Sequence, residues 1–110
     1  MMTDTLTAGT KYDDGKIRWD LLPYQGLEEV ARLYTFGATK YESHNWRKGI
    51  SYSRCFSGLM RHLYRWWVLR EKYDSESGCH HLAAVIFYCL NFMQYEWDGT
   101  THHIDDRWKP

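Results

Sequence analysis

Four side chains in one short stretch, Lys40, Asn45, Arg47 and Lys48, define the first chemistry open to this sequence. They belong to Thr35–Gly49, a polar, cationic segment between two apolar, helix-patterned ones. The set offers many hydrogen-bond donors against one acidic competitor, Glu42, and Gly37 and Gly49 let backbone approach a ligand closely. Such a connector suits an anionic, phosphorylated small molecule.

A second group of residues points to metal or acid–base chemistry. His62 and His81 sit on apolar helical stripes, and each has the alternative of being an ordinary hydrogen-bonded core histidine. Glu29 shares a stripe with Leu33 and Phe36, so its carboxylate must be paired, protonated or bound to a metal. Asp74 and Glu76 precede His81 within a few residues; capping of a following helix is the alternative for Asp74. Mixed oxygen and imidazole donors suit Mg²⁺ or Mn²⁺ better than a structural zinc, which prefers cysteine. Arg54, Arg61 and Arg65 fall at helical spacing, either as solvated surface or as a phosphate clamp facing Asn45–Lys48. His102, His103, Asp105 and Asp106 form a polar C-terminal tail or lid.

Positioning these groups requires helices. Leu27, Val30, Ala31 and Tyr34 recur at helical intervals and predict a helix from about 24 to 36, with Pro23 at its start. Cys55, Leu59, His62, Trp66 and Leu69, with Phe56, Leu63 and Trp67 alongside, predict a heavily buried helix over about 53–70. His81, Val85, Tyr88, Phe92 and Tyr95 predict a third over roughly 79–97. The expectation is one all-α domain over residues 1–110, a compact bundle of three main helices with long functional connectors, frayed over 1–10 and with residues 98–110 as the tail.

Composition narrows the function further. Hydrophobic residues make up 44% of the 110 and aromatics 17%, which excludes disorder and implies an aromatic core, an aromatic interface, or both. A chain this short buries a modest share of its surface alone, so a homo-oligomer is expected. The formal net charge of zero gives no long-range field for duplex nucleic acid. Three cysteines without CxxC spacing read as reduced thiols, and no signal peptide or membrane-length apolar run is seen, so a cytoplasmic location is expected.

Several segments together resemble a known family. They are Lys11-Tyr-Asp-Asp-Gly-Lys-Ile-Arg-Trp-Asp-Leu-Leu-Pro23, Leu27 to Tyr41, Asn45-Trp-Arg-Lys-Gly49, Arg61-His-Leu63, Glu76-Ser-Gly78, His81-Leu-Ala-Ala84 and Asp105-Asp-Arg107. In this order, over about 95 residues, they are similar to the phage-type dATP/dGTP diphosphohydrolase N-terminal-domain family, grouped with MazG-like all-α nucleotide pyrophosphohydrolases. The resemblance implies metal-dependent hydrolysis of purine deoxynucleoside triphosphates, dATP or dGTP, to monophosphate and pyrophosphate, in the host cytoplasm if the chain is phage-encoded. It assigns Lys40, Asn45, Trp46, Arg47, Lys48 and Arg61 to the nucleotide, with Phe36 or Trp46 against the purine. It assigns Glu29, Asp74, Glu76 and His81 to Mg²⁺ or Mn²⁺, and Glu29, His62 and Glu76 to catalysis. MazG-like enzymes carry ExxE and ExxD pairs on facing helices, and neither Glu29 nor Glu96 opens one here. That shortage favours the alternative of a non-catalytic phage protein that sequesters a nucleotide, a signalling nucleotide included.

Overall fold

A computed structural model describes residues 8–110; the expected fraying of residues 1–10 lies largely outside them. The chain is all-α among the described residues, with α1 at Tyr24–Lys40, α2 at Tyr52–Trp67, α3 at His81–Asp98 and a short α4 at Thr101–Ile104. Single 3₁₀ turns occupy Trp19–Leu21 and Asn45–Lys48. The helix that begins after Pro23 runs four residues past its expected end. Thr35 and Thr39 turn their hydroxyls back onto Ala31 and Phe36 carbonyls, and the connector's first residues therefore form its last turn.

The middle layer is α3, which packs against α1 on one side and α2 on the other. It returns antiparallel along α2, since His81 at its start meets His62 while Tyr95 near its end meets Tyr52. At that far end Tyr52, Cys55 and Tyr95 form the core cluster, with Trp46, Ile50, Phe92 and Ile104 packed on it. The predicted α3 face of His81, Val85, Tyr88, Phe92 and Tyr95 is the one turned inward, every member buried or half-buried. On α2 the stripe Cys55, Leu59, His62 and Trp66 is likewise inward, but Phe56 and Trp67 face out, so that helix is covered on one side only.

Close approach of α2 and α3 depends on Gly58. A Cβ there would stand 2.5 Å from the Tyr88 hydroxyl oxygen and 2.7 Å from its Cζ, so the tyrosine occupies the space a side chain would need. After α3, Gly99 at φ 73° closes the helix, with its N–H on Glu96 and the Thr100 N–H on Tyr95. The chain then folds back, and Asp106 accepts from the Ser53 N–H at 2.8 Å and from its hydroxyl at 2.6 Å. These bonds satisfy first-turn groups of α2, whose own N-cap Ser51 makes no side-chain bond.

Candidate functional site

Two features border α3: an open cleft, walled in part by Phe87 and Tyr88, and a histidine–carboxylate cluster that includes His81. The cleft, about 820 Å³, is lined by Thr35, Gly37, Ala38 and Tyr41–Ile50, so nearly all of the predicted connector forms its wall. Its other side is aromatic, built from Tyr34, Phe87 and Tyr88, with Arg54 entering from the first turn of α2. Trp46 is wedged between Tyr34 and Tyr95, ring centroids 5.9 Å from each, and its carbonyl accepts from the Tyr95 hydroxyl at 2.6 Å. Burial pushes both the Tyr34 and Tyr95 phenols up to about 12, so they stay neutral donors; Tyr34 donates to buried Asn91 Oδ1 at 2.5 Å.

The cations of the cleft are exposed and lightly paired. Arg47 lies over the Trp46 ring at 4.6 Å and reaches Asp98 only at 3.9 Å. Lys48 pairs with Glu42, the one acid expected to compete. At the start of this 3₁₀ turn His44 adopts a left-handed backbone at φ 63°, and Gly49 ends it at φ 97° with a Cβ position 3.2 Å from Ile104. Backbone in this region is costly for a side chain, so the turn is held by its surroundings. Lys40 points elsewhere, to Glu76 at 2.5 Å, and that bond ties the end of α1 to the 74–78 turn. Arg61 is exposed on α2 and its charge acts on both Tyr88 of the cleft wall and His62.

The cluster brings together His62, Asp74 and His81, with one potential ligand atom of each within 4.8 Å of the others. His62 Nδ1 and His81 Nδ1 are 2.9 Å apart, which answers the convergence that spacing alone left open. His81 is 1% exposed and its Nε2 has no hydrogen-bond partner. Burial holds His62 below the ordinary imidazole range, against an opposing pull from Asp74. For Asp74, burial raises the carboxyl, but the Ser77 N–H and hydroxyl and nearby His62 outweigh it and keep it below the usual range. Two imidazoles beside a carboxylate are a donor set that fits a divalent cation, and the orphaned His81 nitrogen shows the pocket is polar without being internally satisfied.

Two predicted members stand apart from this cluster. Glu29 accepts the His80 N–H at 2.8 Å and so caps the start of α3 from α1; it borders a smaller recess with Gln25, Tyr73 and Ile86. Glu76 is exposed and paired with Lys40. Asp74 does not cap α3, which begins at His81; it closes the turn through Ser77, while His80 supplies the N-cap side chain. Glu71, unnoticed in the sequence, approaches His81 Nε2 at 3.6 Å and takes both of its oxygens to Arg65 at 3.0 Å. Its signal was present: Glu71-Lys-Tyr-Asp74 is an ExxD spacing, carried by a connector and not by a helix.

The dATP/dGTP diphosphohydrolase N-terminal family matches residues 7–107. A protein of Salmonella phage PMBT28, named dATP/dGTP diphosphohydrolase, is 34% identical over 90 residues, covering 76% of this chain and 30% of the relative. The chain thus spans about a third of the length of that curated relative. No solved structure matches it.

Proposed function

The chain belongs to the dATP/dGTP diphosphohydrolase N-terminal family, and from that membership we propose that it hydrolyses purine deoxynucleoside triphosphates to monophosphate and pyrophosphate. The observation that carries the reading is the cleft itself, where Arg47, Lys48 and Arg54 face an aromatic wall of Tyr34, Phe87 and Tyr88. Guanidinium groups suit phosphate oxygens, and they neutralise charge that grows on the phosphates during displacement. The aromatic wall supplies apolar area for a base. Asn45 adds an amide with both donor and acceptor for base or sugar.

His62, Asp74 and His81 would hold a divalent ion, which supplies Lewis-acid polarisation of phosphate oxygens and a more acidic water. His62 would take part through Nδ1, the ring nitrogen that faces His81, and its role would be to hold the ion. The Lys40–Glu76 pair joins the cleft-forming end of α1 to the turn that presents Asp74, so phosphate binding and the cluster share a mechanical support. Homo-oligomerisation belongs to the same proposal, because the exposed apolar surface described below needs a cover.

The test is incubation of the protein with each dNTP and NTP and Mg²⁺ or Mn²⁺, with products resolved by ion exchange. Monophosphate and pyrophosphate from dATP or dGTP are expected. Triphosphates recovered intact, together with a nucleotide released on heat denaturation, would make this a sequestering protein instead.

A further inference from the structure

Three donors, one orphaned nitrogen and one outer carboxylate make the histidine cluster more specific than a generic cation site. We infer that His62, Asp74 and His81 form a two-histidine, one-carboxylate centre that takes a divalent transition metal in preference to Mg²⁺, with Glu71 as the residue that positions His81. The inference deepens the metal dependence proposed above.

The distances support a shared ion. Metal–imidazole bonds of about 2.1 Å put adjacent ligand atoms roughly 3.0–3.4 Å apart, depending on geometry. The two Nδ1 atoms are separated by 2.9 Å, near the short end of that range, so both can reach one ion that lies to the side of the line joining them. Both Ser77 bonds go to Asp74 Oδ2, so neither of them occupies Oδ1. Two of the three donors are imidazoles, which suit Zn²⁺, Ni²⁺, Co²⁺ and Fe²⁺, whereas Mg²⁺ favours oxygen ligands and retained water.

Glu71 explains the orphan. A metal-bound histidine commonly donates its other N–H to a carboxylate, which fixes the tautomer and the ring orientation. His81 Nε2 is buried and unpartnered, and Glu71 Oε1 stands 3.6 Å away, a few tenths of an ångström beyond hydrogen-bond range. Arg65 grips Glu71 through both oxygens and holds that carboxylate in place. With Nε2–H directed to Glu71, the Nδ1 lone pair of His81 points to the ion. Three protein ligands leave further positions open for water or phosphate.

The experiment is a Co²⁺ titration of the untagged, metal-stripped full chain without nucleotide, followed by ligand-field absorption and by metal analysis. Expected is one equivalent bound, displaced by Zn²⁺ but not by about a hundredfold excess of Mg²⁺. His62→Gln and Asp74→Asn should each remove it with helical content unchanged; if the first fails to fold, the second decides. Glu71→Gln should keep the stoichiometry and weaken binding about tenfold or more. Retained stoichiometric binding in Asp74→Asn, or equal competition by Mg²⁺, overturns the site; an unchanged affinity in Glu71→Gln overturns its positioning role. Tight Co²⁺ binding in a protein that cleaves no nucleotide would sink the hydrolase reading and leave this one standing.

Discussion

At Arg47 the competing demands on a cleft residue can be weighed. Its guanidinium is spread over the Trp46 ring, and its acidic neighbour Asp98 is at the edge of ion-pair range, so most of its hydrogen-bonding capacity faces the cleft. Arg47→Ala is therefore expected to cost about 2 kcal/mol of nucleotide binding, roughly thirtyfold in Kd, measured by isothermal titration calorimetry. Trp46 differs, because its contacts with Tyr34 and Tyr95 commit it to the wall and not to free stacking. Glu29 is committed as well. Glu29→Ala removes the acceptor of a half-buried N–H and should lower stability by about 1–2 kcal/mol in thermal or urea unfolding. An unchanged midpoint would show that water replaces it freely. The residue types of the site were legible in the sequence, yet which acid met which histidine was not. Glu29 lies 52 positions before His81 and Glu71 lies 10 before it, and only packing decides that the nearer one faces the ring.

Among the elements, the α2–α3 crossing has the sharpest consequence. Gly58→Ala would force the Tyr88 ring off its position and is expected to destabilise by about 1–3 kcal/mol in chemical denaturation. Tyr88→Phe should recover only part of that loss, because the ring carbon that bore the hydroxyl is itself 2.7 Å from the new methyl. Full tolerance of Gly58→Ala would mean the helices can part cheaply. The latch between Asp106 and Ser53 makes a second prediction, in pH. Bonds from the Ser53 hydroxyl and N–H hold the Asp106 carboxyl below its ordinary value. A depressed carboxylate contributes stability that is present above the unfolded value near 4 and is lost as pH falls through the folded one. Proteolysis of the C-terminal tail should thus accelerate below about pH 4 in the wild type, and Asp106→Asn should show fast cleavage already at neutral pH. Equal rates for the two proteins at neutral pH would remove the latch. Helix existence was readable from period alone, because apolar residues repeat at 3–4 residues in all three helices, although Leu27 and Ala31 of the α1 stripe stand exposed and only Val30 and Tyr34 of it turn inward. The ends were not, since the extra turn of α1 and the late start of α3 rest on threonine back-bonding and on caps brought from Glu29 and His80.

The molecule as a whole is open. Its radius of gyration is 18.5 Å and its extents are 58 × 35 × 32 Å, against about 13 Å expected for a compact chain of this length. On α2 the residues Phe56, Met60, Tyr64 and Trp67 leave an exposed apolar stripe, and Ile86, Leu90, Met93 and Trp97 leave another on α3. Such surface is large for a lone monomer. Sedimentation equilibrium is expected to give a mass of at least two chains, and Phe56→Glu with Trp67→Glu should reduce it with helicity retained; a wild type that sediments as one chain would remove self-association as the cover. The sequence by itself determined the all-α class, the three stripes, the cationic connector and the family, because period, composition and ordered motifs are local properties of the chain. Tertiary structure alone decided the partners: His62 with His81, Glu71 behind it, Glu29 as a cap and Glu76 as an ion pair for Lys40. Those pairings depend on how two antiparallel helices are placed about Gly58 and Tyr88, a fit of volumes across the bundle that no spacing along the chain records.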